Sequence, residues 1–375
     1  MDFPPVITVF ILSLTAPFIL YTINHVSFLQ DPQVILAIGI TVLTTILLLA
    51  NLSVRSNKPT DPLFYVFAVF SFTSVVSITN ALQHHGFIKG FMDFYISKAE
   101  PSLNTAHGLM MSYWDVLHYA LLLIMVQRIT AGKPFRSLAL VWAGSMIAGQ
   151  LVLISGTVVG RHGKNLLPAV WRSGPSLVLP VWAAAKLFDR PRELSITPAD
   201  KVEVEQKKTL LSRPTDLLLT LGLGASIIFT AFRGFVVLEC SLDFCFTYIF
   251  RYEPYMKDGV GFPKVTMLLL FFYVLPLLMA CVYGLHVPGC TWMLDWTLVL
   301  AGAVAQMQWT HLGSSVHQRT PFTYRIPKDE WREVVVLNLL FTAVPVLLAV
   351  RCCADKTFFV KSVPRERASN GKNED

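Results

Sequence analysis

Trp114, Asp115, His118 and Tyr119 lie within one short, otherwise largely apolar stretch, residues 109–126. In a helix Asp115 and His118 stand three apart and Trp114 and His118 four apart, so a carboxylate, an imidazole and an indole N–H share one face. Such a trio suits two tasks, holding a ligand hydroxyl or moving a proton. Its bland use is a hydrogen-bonded clasp between helices. Ionisable side chains are costly at membrane depth, which favours a pocket lined by this face, with His118 and Asp115 contacting each other or a ligand.

Ser74, Ser77 and Asn80, with Thr73 and Thr79, form a polar stripe over 64–82 that would complete the same pocket, although small hydroxyl residues are also ordinary glue between membrane helices. Further along, Gln306, Gln308, His311, Ser314, Ser315 and His317 precede the run Arg319-Thr320-Pro321-Phe322-Thr323-Tyr324-Arg325. Gln308 and His311 there are candidates for a second polar cavity; a docking surface and a satisfied interhelical network remain equal readings. Glu100 and Glu253 each precede a proline, and their duplication points to a structural job, such as tethering the loop to a helix end, as much as to chemistry. Arg172 and Arg233, near the ends of apolar stretches, are expected to snorkel to the interface. His84-His85 is a weak metal candidate at best. A phosphate loop, a nucleophile elbow, metal-spaced histidines backed by acids and a channel filter are all missing from the sequence, and no cofactor is called for.

The elements that carry these residues are helices in a membrane. Of 375 residues, 54% are hydrophobic and 15% charged, with a mean hydropathy of +0.55, more apolar surface than one soluble core could hide. Stretches of roughly 20 apolar residues recur, each able to cross a hydrocarbon core of about 30 Å. They fall near 6–22, 34–52, 64–82, 109–126, 138–158, 166–187, 216–236, 265–286, 292–313 and 334–350. The expected fold is all-α: a polytopic membrane protein of about ten transmembrane helices, the first retained as a signal anchor. Lys and Arg number 18 in the connections on the side of both termini and 11 opposite, which predicts cytosolic termini. The net charge of +7 then reflects this bias and attraction to anionic headgroups rather than nucleic acid. Cys240 and Cys245 share a predicted lumenal loop, where a disulfide is permitted; Cys352 and Cys353 follow the last span on the cytosolic side, as plain interfacial thiols or S-acylation sites.

The halves resemble each other in order. Pro62 pairs with Pro214, Asp93-Phe94 with Asp243-Phe244, Glu100-Pro101 with Glu253-Pro254, Tyr119 with Tyr273, Ala143-Gly144 with Ala301-Gly302, Gln150 with Gln308 and Pro168 with Pro327, at offsets of 150 to 159 residues. This organisation predicts two N-terminal helices (1–52), a first four-helix repeat (61–187), a charged cytosolic linker (188–212) with a short polar helix from Pro198 to Leu211, a second four-helix repeat (213–350) and a disordered tail (351–375). An even number of spans per unit makes the repeats parallel.

Several runs carry a resemblance: Asp61-Pro62-Leu63-Phe64-Tyr65, Glu100-Pro101, Thr105-Ala106-His107-Gly108, Tyr113-Trp114-Asp115, Phe232-Arg233-Gly234, Tyr252-Glu253-Pro254-Tyr255, Pro288-Gly289-Cys290 and Arg319-Thr320-Pro321-Phe322-Thr323-Tyr324-Arg325. Together they resemble the transmembrane-six superfamily over nearly the whole chain. That resemblance implies two tandem EXPERA units, the four-helix fold shared with the emopamil-binding sterol isomerase and the sigma-two receptor. It also implies a multi-pass protein of the endoplasmic reticulum and ER–Golgi intermediate compartment. Such a protein would bind sterol or another lipid, promote lipid loading and secretion of triglyceride-rich lipoproteins and limit lipid droplets, with apolipoprotein B and lipoprotein-assembly factors as partners. Isomerase chemistry needs a proton donor and acceptor held against the sterol. Where that enzyme has His and Glu, this chain has Ser74 and Ile78; where it has Asn and Trp, Ser173 and Ser176. Asp115 alone keeps an acid near its place, and Leu269 stands there in the second repeat, so the expectation leans to binding without catalysis.

Overall fold

The computed structural model describes residues 4–54, 61–160, 166–192 and 198–360. The described residues are helical with no strand. Eight helices or helix pairs are long and apolar enough to cross a membrane. They are α1 (Pro5–Ser13) with α2 (Ala16–His25), α3 (Pro32–Ser53), α4 (Leu63–His84), α5 (Ala106–Thr130), α6 (Arg136–Val159), α9 (Pro214–Val237), α11 (Phe262–Leu269) with α12 (Leu275–His286), and α14 (Trp331–Ala354). Two further long helices, α7 (Leu166–Phe188) and α13 (Met293–Val316), complete the expected ten. α13 misses the apolar criterion because of the glutamines, histidine and serines of its second half.

The described connections gather into two sets of contacts. On one face Arg136 and Arg192 bind Asp295, Arg190 binds Asp61, and Arg213 and Arg351 bind Asp216. On the other, Asn24 meets Gly90 and Phe94, Arg251 meets Glu330, and Arg319 meets Leu103. The first face bears the linker between α7 and α9, and the second bears the Cys240–Cys245 disulfide, whose Cα atoms are 6.1 Å apart. The linker contains α8 (Ala199–Lys207), inside the polar helix expected there.

Breaks in the helices follow from proline. Pro17 lies in the first turn of α2, where its missing N–H ends the α1 ladder, and Pro276 opens α12 after a π-helical turn, Leu270–Val274. The tail differs from expectation: α14 continues to Ala354, and Phe358 and Phe359 are fully buried, so residues 351–360 are packed. Arg213 lies 3.7 Å over the Phe358 ring, and Gln206 Nε2 donates to the carbonyls of Phe358 and Val360, pinning this end to the linker. Residues 361–375 lie outside the described residues.

Local structure recurs between the halves. α4 and α9 end in the same hydrogen-bonded turn, with Phe87 N donating to Leu82 O and Cys240 N to Phe235 O; the left-handed position is Gly86 in one and Glu239 in the other. A π-helical turn follows in each, Tyr95–Ala99 and Tyr248–Tyr252, then an extended Glu100 or Glu253, then a short 3-10 turn, Pro101–Asn104 or Pro254–Lys257. α10 (Asp243–Thr247) leads into the second of these.

At the centre α6 crosses α13 at backbone contact. A Cβ on Gly144 would stand 2.2 Å from the Val299 carbonyl oxygen, and one on Gly302 would stand 2.0 Å from that of Val141. The two contacts exchange when each residue is moved 158 positions. α6 and α13 also serve both apolar cores, one around Phe64, Phe67 and Trp142, the other around Phe262, Leu278 and Met307.

Candidate functional site

Half-way along α5, His118 is buried at 2% exposure and organises a polar knot. Its Nδ1 faces Asp115 Oδ1 at 3.0 Å and its Nε2 faces Ser145 Oγ of α6 at 2.8 Å. An indole N–H only donates, and Trp114 Nε1 gives to Nε2, so Nε2 is the acceptor and Nδ1 carries the proton. Trp114 Nε1 donates to both Nε2, at 3.1 Å, and Ser145 Oγ, at 2.9 Å. Ser145 Oγ in turn reaches Gln306 Oε1 of α13 at 3.2 Å. Ser145 follows Gly144, so the glycine that admits α13 also brings the hydroxyl to the crossing.

This knot heads an apolar groove of about 500 Å³. α5 and α14 form its rims, and α6 and α13 its floor. Trp114, His118 and Ser145 lie at the inner end, the small side chains of Ala301, Gly302 and Ala305 leave the floor low, and Cys353 and Ala354 lie at the linker-face end. The arrangement can accept a long apolar molecule and answer one hydroxyl at its tip, since Ser145 Oγ and His118 Nε2 offer both a donor and an acceptor.

The other expected site residues separate. Tyr119 points the other way, its hydroxyl 2.7 Å from Ser13 Oγ of α1, because one residue past His118 turns it about 100° around the helix. Asn80 donates to Ser112 Oγ at 3.0 Å and lines a different, polar cavity on the disulfide face. Ser74 is buried and Ser77 half-buried on α4, and neither lines the groove or that cavity. Gln308 is buried, with both side-chain polar atoms lacking a hydrogen-bond partner. Thus the α4 stripe does not complete the pocket of Trp114 and His118. Arg172 and Ser173 lie outside the residues whose side chains are described.

His311 belongs to a third centre. Glu253 accepts from Arg233 Nη2 at 2.8 Å and from Asn338 Nδ2 at 3.0 Å, and His311 Nε2 is 3.7 Å away. Arg233, at 1% exposure, is therefore locked inside rather than snorkelling. Burial by itself would raise the Glu253 carboxyl, but Arg233, His311 and Asn338 hold it at about 2. The Glu-Pro loop is tied to α9, α13 and α14 by one carboxylate. Among the described residues no group of three or more His, Cys, Asp or Glu could hold a metal ion.

Sequence reasoning missed Ser145, Ala301, Gly302, Ala305 and Cys353 as parts of one groove. The Ala-Gly pairs were visible as repeat markers, but only the crossing of α6 on α13 turns them into a floor.

A family model described as "Transmembrane 6 superfamily member 2-like, transmembrane domain" matches residues 15–198. The chain is 43% identical over 368 residues to human Transmembrane 6 superfamily member 2, covering 98% of each chain. It is 43% identical to the rat protein of that name over 97% of each chain, and 42% identical to the mouse protein over 96%. No solved structure matches the chain. With identity at this level running from end to end of relatives of the same length, the chain belongs to the transmembrane 6 superfamily member 2 family.

Proposed function

We propose that the chain is a non-enzymatic lipid-binding protein of the endoplasmic reticulum and ER–Golgi intermediate compartment. It takes a sterol, or another lipid with one hydroxyl, into the groove between α5 and α14, and promotes lipidation and secretion of triglyceride-rich lipoproteins, limiting lipid-droplet content. Apolipoprotein B is the partner class this reading implies. The observation that carries it is the polar knot of Trp114, His118 and Ser145 at the inner end of an otherwise apolar groove. We read the halves as two tandem EXPERA-like units, a reading supported by the matched helix ends, the matched Glu-Pro turns and the reciprocal Gly144 and Gly302 contacts.

The purified full chain, titrated with radiolabelled cholesterol, tests the proposal. His118→Ala is expected to weaken binding about tenfold, the loss of one hydrogen bond to a buried polar partner. Ala305→Phe, which fills the groove, should abolish it, and both variants should lower lipoprotein secretion from cells. Bound sterol should also slow reaction of Cys353 with a maleimide. Cholesterol binding unchanged in Ala305→Phe would overturn the groove as its site.

The chain Asp115, His118, Ser145 favours a second reading, a sterol isomerase-like or other proton-transferring enzyme, because carboxylate, imidazole and hydroxyl are aligned at 3.0 and 2.8 Å. Product formation from a sterol substrate, lost in Asp115→Asn, would establish it. A scaffold without a lipid site would bind no sterol in any variant.

A further inference from the structure

We propose that the polar cavity on the disulfide face is a second binding site, for the phosphate of a lipid headgroup in the adjacent leaflet. Its volume is about 750 Å³, it lies where α4, α5 and α13 end, and it is separate from the groove.

One wall consists of donors without anionic partners. Arg319 lines the cavity, giving Nη1 to the Leu103 carbonyl at 3.2 Å and Nη2 to His84 Nδ1 at 3.0 Å. Because His84 Nδ1 accepts, its proton sits on Nε2, a further donor. His317, which is not part of the lining, accepts the Arg319 amide on Nδ1 at 3.1 Å, and its ring lies 5.5 Å from that of His84. Arg325 is spent on the carbonyls of Thr320 and Gln318. Among the described residues neither arginine has a carboxylate in ion-pair range. Burial, and after it the neighbouring His84, Arg319, Arg325 and His85, push His317 below the ordinary histidine value.

A second, independent feature points into the same space. His107 lines the cavity at 2% exposure, and its Nε2 has no hydrogen-bond partner among the described residues. A buried polar atom without a partner is costly, and a ligand in the cavity would relieve it. Donors converging from a guanidinium and imidazoles match phosphate oxygens, which accept several charge-assisted bonds at once. Asp93, held by Gln83 Nε2 at 2.7 Å, and the buried Asp258 add two carboxylates to the lining, which suits a headgroup whose phosphate is accompanied by an ammonium. The position at the helix ends is the depth at which headgroups lie.

The test uses the full chain in maltoside detergent, which contains no phosphate, titrated with dihexanoylphosphatidylcholine, dihexanoylglycerol and inorganic phosphate. The phosphatidylcholine is expected to bind saturably, dihexanoylglycerol to fail to displace it, and Arg319→Gln to weaken it at least tenfold. His84→Ala, at an exposed position, should weaken it several-fold, and Arg251→Gln, an arginine outside the cavity, should leave it unchanged. Inorganic phosphate binding as tightly as the lipid would support the site with free phosphate as its source. Equal affinity in the wild type, Arg319→Gln and His84→Ala, or displacement by dihexanoylglycerol, would overturn the proposal. Cholesterol binding in the groove is measured on the same variants and should not change, which keeps the two sites distinguishable.

Discussion

Glu253 is the residue on which the second half's loop depends. Removing its charge leaves Arg233 buried without an anion, and breaking such a pair costs about 3–5 kcal/mol. Glu253→Gln is therefore expected to lower the thermal midpoint strongly, while replacing Arg233 and Glu253 together by Met and Gln costs less than either change alone. The folded-state value of about 2 lies below the ordinary glutamate value, so this stabilisation is complete above the ordinary value and is lost as pH falls through it toward 2. Unfolding measured between pH 5 and about 2 should show that loss in the wild type and not in Glu253→Gln. The importance of Glu253 was half legible in the sequence, since its twin Glu100 marked a repeated tether. Its partners were not, because Arg233 at the end of an apolar run looks the same whether it turns outward to headgroups or inward to a carboxylate. His118 and Asp115 were legible for the opposite reason: charged groups deep in an apolar helix have few places to go. Ser145 gave no such signal, since a serine costs little anywhere in a membrane helix.

Helices test the likeness of the two halves. Gly86 and Glu239 hold the same left-handed position at the ends of α4 and α9, at φ of 75° and 66°. A side chain there costs about 1 kcal/mol relative to glycine. Glu239→Gly should thus raise stability by up to that amount and Gly86→Ala lower it by a similar amount, read as opposite shifts in the unfolding midpoint. At the α6–α13 crossing a methyl group has no room, because its neighbour is backbone: Gly302→Ala and Gly144→Ala should each destabilise by about 1–3 kcal/mol. Gly39→Ala, inside α3 with nothing within 4 Å, serves as the control that does not destabilise. Eight spans were readable because length and apolarity suffice to place them, whereas α7 and α13 are long helices that these two properties alone do not mark as spans. The crossing was not, because a shared Ala-Gly records likeness between two segments without saying that they touch.

Across the whole molecule, the segment after α14 closes the linker face. Phe358→Ala is expected to cost about 3–5 kcal/mol if its pocket does not collapse, and to speed amide exchange in α8, which Gln206 ties to this segment. The sequence concealed this closure, since two phenylalanines among charged residues do not reveal which surface receives them. The groove has one further consequence. Its rims, α5 and α14, come from opposite halves of the chain, so an occupant would be a mortar joint rather than a passenger. Stripping it with harsh detergent should loosen the two halves in concert, and the yield of intact protein would then track how much native lipid survives extraction.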